Sequence, residues 1–291
     1  RTQLLTITIF LSALAATAQG NPRISVNYDC NAPTKWGKTA TTKMTLLAST
    51  EESEYFNDMS QWVDSLSSTP EGKAKYMDIL QKACMTVEPD GSTSWDLTKG
   101  PVKKIYTYVF TNLADEALTL YDKFGEDQGY YTEPFADMQW TIRDDSIANV
   151  LGYECVMAEN DYHGRHWTAW FSPEIPVQDG PWKLAGLPGL ILAAAEDGGI
   201  HSFIANGIET TDGEIPGMPR DDWYHKEDRI KFLQGKYRNT QDPLADLALG
   251  GLPANARIYV NNELTTPEEV RARARKVLDA GYDFLETDYH K

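Results

Sequence analysis

The stretch that decides the fold is "SIANVLGYECVMAENDYHGRHWTAWFS", Ser146 to Ser172. Two runs rich in β-branched and aromatic residues flank Tyr162-His163-Gly164-Arg165, a tight hairpin turn in which Gly164 takes a positive φ. If Tyr162 and Arg165 flank that turn, Met157 lies opposite Trp170 and Cys155 opposite Ser172. One face then carries Tyr153, Cys155, Met157 and Trp170, the other Val156, Ala158, Trp167 and Phe171. Both faces are substantially apolar, so the hairpin is expected to be covered on both sides. "MQWTIRD", from Met138, reads as a preceding strand, with Ser146 to Asp161 as the strand after a turn.

The pattern continues outward from this hairpin. "LILAAAED" and "HSFIANGIE" read as strands around an Asp/Gly turn, giving a meander from about Gln139 to Ile208. Upstream, Arg23 to Cys30, Thr42 to Ala48 and Lys104 to Thr111 read as strands, and Ala117 to Asp122 could pair with the last of these. Ser53 to Asp64 reads as a polar and aromatic connection. Thr69-Pro70-Glu71 opens a helix running to about Met85, with a Thr cap and Pro in the first turn. Downstream, Trp223 to Lys236 is charged and helical in pattern, Gly250 to Tyr259 is loop-like, and Thr266-Pro267 begins a helix to about Leu278. The fold class expected is α+β: a mainly antiparallel β-sheet or meander, or a half-barrel made from it, with flanking helices. The domain division expected is an export signal over residues 1–18, then one α+β domain over 19–291, of which 213–291 is a helical and loop extension.

Composition narrows the class. Of 291 residues 41% are hydrophobic and 24% charged, which is ordinary for a soluble globular chain. A formal net charge of −16 makes nucleic acid and anionic membrane surfaces poor partners. The opening "RTQLLTITIFLSALAATAQG" carries one basic residue, an apolar run and the small-residue pattern Ala16-Thr17-Ala18, as in a signal peptide cleaved before Gln19. No Cys follows that site, and no later segment is apolar enough to span a membrane. The location expected is therefore periplasmic or secreted. In such a compartment the three cysteines, Cys30, Cys84 and Cys155, suggest one disulfide and one free thiol, with Cys30–Cys84 preferred.

Between Ser172 and Gly189 lies a long Pro- and Gly-rich loop, an unusual insertion in a meander. It ends in "GLPGLI", Gly186 to Ile191, where Leu187-Pro188-Gly189-Leu190 fits a type II turn launching a buried strand. The loop is either a rigid corner over one end of the sheet or the rim of a binding site.

Trp140 to Leu192 resembles the GLPGLI family, named for the motif that stands complete here as Gly186, Leu187, Pro188, Gly189, Leu190 and Ile191. "GYEC", "GR…W.AWF..EIP" and "GPW" agree with it in order, and "EYFNDMSQWVDS" resembles the family's N-terminal part. The resemblance implies an exported protein of Bacteroidetes-type Gram-negative bacteria, similar to proteins found beside TonB-dependent uptake receptors. It implies no activity.

Site candidates are correspondingly modest. Trp140, Trp167, Trp170, Glu174, Pro181 and Trp182 form the ligand-binding set suggested by an aromatic sheet face under the loop, with ordinary core packing as the plainer reading. His163, Arg165 and His166, with Asp161 and Glu174, offer the groups of a metal or anion site, but residues three apart at a hairpin end point to opposite faces. Cys155 lies too far up its strand to use His163 or His166 as a base, although His201 on a neighbouring strand could approach it. No serine elbow, phosphate loop or zinc-protease pattern is present. The reading leans away from an enzyme, with no catalytic residue, metal or cofactor assigned. It favours a binding or accessory protein taking an apolar or peptide-like ligand. The alternatives are a module docking on an outer-membrane receptor or other envelope protein, and a thiol- or metal-dependent hydrolase.

Overall fold

The computed structural model describes residues 23–33, 39–125, 127–134, 138–217, 221–242, 244, 258–260, 263–279 and 284–290. Residues 1–18, read above as an export signal, and most of the Gly250–Tyr259 stretch lie outside the described residues. Twelve strands form one sheet: β1 (Arg23–Pro33), β2 (Thr39–Ala48), β3 (Glu52–Phe56), β6 (Tyr108–Asn112), β7 (Ala117–Phe124), β8 (Asp127–Pro134), β9 (Thr141–Val150), β10 (Tyr153–Tyr162), β11 (Arg165–Ser172), β12 (Leu190–Glu196), β13 (Ser202–Thr211) and β14 (His225–Lys226). Two small hairpins stand apart, β4 (Met85–Val87) with β5 (Thr93–Trp95) and β15 (Ile258–Val260) with β16 (Glu263–Thr265). Among the described residues the α-helices are α1 (Asp58–Ser67), α2 (Pro70–Cys84), α3 (Arg229–Gln241) and α4 (Pro267–Asp279).

The large sheet is open and almost wholly antiparallel, in the order β14-β8-β7-β6-β3-β2-β1-β13-β12-β11-β10-β9. The meander β9 to β13 is therefore joined to an N-terminal half through β1–β13. Only β14, on β8, is parallel. Period-two burial assigns the core face. Val26, Leu46, Tyr55, Val109, Leu120 and Tyr131 are cross-strand partners in one row, and all are buried.

The hairpin register is the expected one, with Met157 opposite Trp170 and Tyr162 opposite Arg165. Its turn has φ 51° at His163 and 82° at Gly164, the paired positive values of a type I′ turn. A Cβ on Gly164 would stand 2.3 Å from Thr287 Oγ1, so this turn must also be bare to accept its neighbour.

Several expectations need correction. The hairpin is not covered on both sides: Ala158, Asn160, Tyr162, Arg165, Trp167, Ala169 and Phe171 are buried, while Met157, Glu159, His166, Thr168 and Trp170 on the other face are only half-buried. The preceding break falls at Leu151-Gly152 (φ 53° and 89°), so Ser146 to Val150 completes β9 rather than opening β10. Ser53 to Asp64 is not a connection but β3 followed by α1, capped by Asn57, whose side chain accepts from the Ser60 amide. The strand expected from Lys104 starts only at Tyr108, and the helix expected from Trp223 starts at Arg229 behind the Asp228 cap. No disulfide forms: Cys30, Cys84 and Cys155 are buried free thiols. Cys30 lies on the inner face of β1 with its sulfur 2.9 Å from the Tyr55 hydroxyl, and Cys84 ends α2.

The motif turn is also different. The Gly189 amide donates to the Leu187 carbonyl at 2.8 Å, closing a three-residue γ-type turn about Pro188. The Leu190 amide, which a type II turn would direct to Leu187, donates instead to the Ile175 carbonyl at 3.1 Å. Gly189 is required by closeness: a Cβ there would stand 2.2 Å from the Ser172 carbonyl oxygen.

Candidate functional site

The loop between β11 and β12 is buried along most of its length. Ile175, Val177, Pro181, Trp182, Leu184, Ala185 and Leu187 are all in the interior. It is held across the inner face by bonds to strands of both halves. The Ser53 hydroxyl on β3 donates to Asp179, the Trp140 indole donates to the Ala185 carbonyl at 2.8 Å, and the Ile191 amide returns to the Asp179 carbonyl at 3.0 Å. Trp182 takes φ 57°, a strained value for a bulky residue. Its ring lies 5.8 Å from Trp167, which stacks on Phe203 at 5.8 Å. The corner and the core are thus one object, because the sheet folds about its own loop.

The next residue, Lys183, is 1% exposed and sits in a polar cluster. Its ammonium pairs with Glu133 on β8 and with Glu286 Oε1 at 2.8 Å. Tyr131 donates its hydroxyl to the same Glu286 oxygen at 2.7 Å. Arg229, at the start of α3, reaches Glu286 Oε2 at 2.5 Å and grips Asp288 with both terminal nitrogens, at 2.9 and 2.6 Å. His163, placed by the hairpin turn, bridges Glu133 at 3.1 Å and Asp288 at 3.2 Å. Burial raises the Glu133 carboxyl, but His163 and Lys183 outweigh that and hold it at about 2. For Asp288 burial is again outweighed, chiefly by Arg229, to about 2. Glu286 is lowered too, as Lys183 and His163 overcome its burial.

His163, Glu286 and Asp288 present ligand-type atoms within 4.8 Å of one another. Arg229 already pairs with both carboxylates, bidentate to Asp288 and through one nitrogen to Glu286, so the donors are committed to an ion-pair network rather than left to a cation. His166 points the other way and pairs at the surface with Asp161 at 2.7 Å.

Beside this cluster is a cavity of about 300 Å³, at the small end of ligand sites. Its walls are mainly apolar, with Met44, Leu120 and Phe203 from the sheet, Phe232 and Leu233 from α3, and Phe284 and Leu285 from the segment that follows α4 in the chain. Polar groups also reach it: Thr42, Tyr55, Thr107 and His201, the Asp122–Lys236 ion pair, and Glu286 at the edge of the charged cluster, with the Cys30 thiol among them. Burial pushes the Cys30 thiol up to about 12, despite the bond to Tyr55. Burial also raises the Cys155 thiol, which donates to the Tyr153 carbonyl and is not among the cavity walls.

Of the aromatic set read from sequence, Trp182 lines the cavity and Trp167 supports it from behind. Trp140 braces the loop, and Pro181 is buried within it. Trp170 lies half-buried on the outer face, and exposed Glu174 accepts from the Glu154 amide at 3.3 Å. Glu133, Lys183, Arg229, Glu286 and Asp288 were not singled out from sequence. They are scattered over more than 150 positions, and only Lys183 lies in the loop that the sequence marks as a candidate binding rim.

Comparison with known proteins places a name on part of this region. A family model described as "Protein of unknown function (Porph_ging)" matches residues 157–193, which hold the β10–β11 hairpin, the loop and the motif. No curated protein matches the chain. Among solved structures, PNGF-II in a C2 crystal form is similar at a TM-score of 0.48 with 10% identity, over 75% of this chain and 33% of that one. The chain thus spans about a third of PNGF-II. MucB in complex with MucA(peri) is similar at 0.25 with 10% identity, over 68% and 53% of the two chains. A Vibrio parahaemolyticus domain assigned to outer membrane lipoprotein sorting is similar at 0.26 with 7% identity, over 69% and 90%.

Proposed function

We propose that this chain is a ligand-binding or accessory protein of the cell envelope, of the GLPGLI type, exported to the periplasm or beyond. Its ligand is small and apolar, or the apolar part of a peptide. The observation that carries the reading is the cavity of about 300 Å³ between the sheet and α3, walled by Met44, Leu120, Phe203 and Phe232. The signal-like N-terminus supports the location, and among the described residues no helix is long and apolar enough to cross a membrane. A thiol nucleophile draws no support from buried cysteines whose thiols are raised rather than lowered. A docking role on another envelope protein has one observation in its favour: Ile142 and Ile147 on edge strand β9, and Leu151 just beyond it, are 44–50% exposed.

The test is titration of the purified chain with a neutral apolar fluorophore, N-phenyl-1-naphthylamine, alongside native mass spectrometry for a co-purified molecule. Thr107→Trp, which fills the cavity, should weaken fluorophore binding by about tenfold or more, or roughly 1.4 kcal/mol. Absence of binding to the unaltered chain, with no co-purified molecule, overturns the reading.

A further inference from the structure

The segment 284–290, "FLETDYH", is held in a manner suited to recognising an extended peptide. Arg165 donates to two successive main-chain carbonyls, Nη2 to Phe284 at 2.5 Å and Nε to Leu285 at 2.9 Å. The Thr287 amide donates to the His163 carbonyl at 2.9 Å, and the Thr287 hydroxyl to that of Gly164 at 3.1 Å. These contacts read backbone and are indifferent to most side chains. Selectivity comes from the two acidic positions: Glu286 meets Lys183, Arg229 and Tyr131, and Asp288 meets Arg229 and His163. Phe284 and Leu285 meanwhile wall the apolar cavity.

Charge explains why the groove asks for such an occupant. Without Glu286 and Asp288, the buried Lys183 and the half-buried Arg229 would share the single carboxylate Glu133. Burying an ammonium or guanidinium without its counter-charge costs several kcal/mol. A purely structural joint could be made from apolar contacts without that cost.

We propose that the groove formed by the β10–β11 turn, β8, Lys183 and α3 is a binding site for an extended peptide with two apolar residues followed by alternating acidic ones, occupied here by the chain's own 284–290 segment. The proposal rests on the cavity reading above and names its ligand class. A partner peptide of this pattern displaces the segment, keeps the bonds from Arg165, and places its apolar pair where Phe284 and Leu285 now stand.

The test uses the full chain and a fluorescein-labelled FLETDYH peptide followed by anisotropy. Glu286→Gln/Asp288→Asn in the chain weakens the resident segment. This double variant should bind the peptide about tenfold more tightly than the unaltered chain, since the internal competitor is weakened. The peptide FLQTNYH should bind neither. If the double variant is folded by near-ultraviolet circular dichroism yet binds FLETDYH no better than a scrambled peptide, the proposal is overturned. Should that variant fail to fold, hydrogen exchange on the unaltered chain decides. Excess peptide should remove protection from the Thr287 amide, and unchanged protection overturns the proposal. N-phenyl-1-naphthylamine binding is measured in parallel. Fluorophore binding without peptide binding rejects this inference alone, and loss of both rejects the cavity reading as well.

Discussion

Lys183 is the residue whose replacement should speak most clearly. Lys183→Met keeps length and removes charge, leaving Glu133 and Glu286 facing each other without their ammonium. Breaking one side of a buried pair costs about 3–5 kcal/mol, and urea denaturation should show a loss of that order. The double variant Lys183→Met/Glu133→Gln should recover part of it, because it removes the stranded charge as well. Gly189→Ala is a steric counterpart. With the Ser172 carbonyl 2.2 Å from the new Cβ, the motif loop must shift, and a loss of about 2–4 kcal/mol is expected in the same measurement. The glycine was legible in the sequence as a turn residue. Its partner was not, because the clash is with a carbonyl seventeen positions upstream that only the folded loop brings near.

Elements whose signals are local came out of the sequence well. The α2 helix begins at Pro70 because Thr69 accepts from the Gly72 amide, and Thr69→Ala should cost about 1 kcal/mol in thermal denaturation. The register of the β10–β11 hairpin follows from its two-residue turn. α1 was missed because its cap, Asn57, follows directly on strand β3 with no intervening turn residues, and its ten residues are mostly polar. The disulfide expected from counting cysteines fails because strand alternation sends Cys30 into the sheet interior, while Cys84 sits at a helix end. A thiol titration should therefore find no reactive cysteine in the native chain and three once it is unfolded.

Over the whole molecule, two sets of shielded acids pull stability in opposite directions with pH. Burial raises Glu54 to about 8 and Asp179 to about 7, each only partly offset by hydrogen bonds from Gly217 and Ser53 respectively. Folding binds protons at these groups, so stability falls as pH rises from the ordinary carboxylate value of about 4 through 7 and 8. Glu133 and Asp288 are held at about 2, so their contribution is lost as pH falls from about 4 towards 2. These four groups together place the stability maximum near pH 4 to 5, to be read from urea midpoints between about pH 3 and 9. Glu54→Gln should flatten the alkaline limb, stabilising the protein at pH 8 and changing little at pH 4.

The sequence by itself determined what depends on near neighbours: strand alternation, helix caps, the hairpin turn, the apolar run after "GLPG", and the strongly acidic composition. Tertiary structure alone decided what depends on distant encounters. It put β1 beside β13, wrapped the sheet about the loop from Ser172 to Gly189, and gathered Glu133, His163, Lys183, Arg229, Glu286 and Asp288 into one largely shielded network around the buried Lys183 and Glu286. Each of those side chains, taken alone, has the pattern of a solvated surface charge. What makes them a site is that burial forces them to find one another, and that requirement has no expression in local spacing.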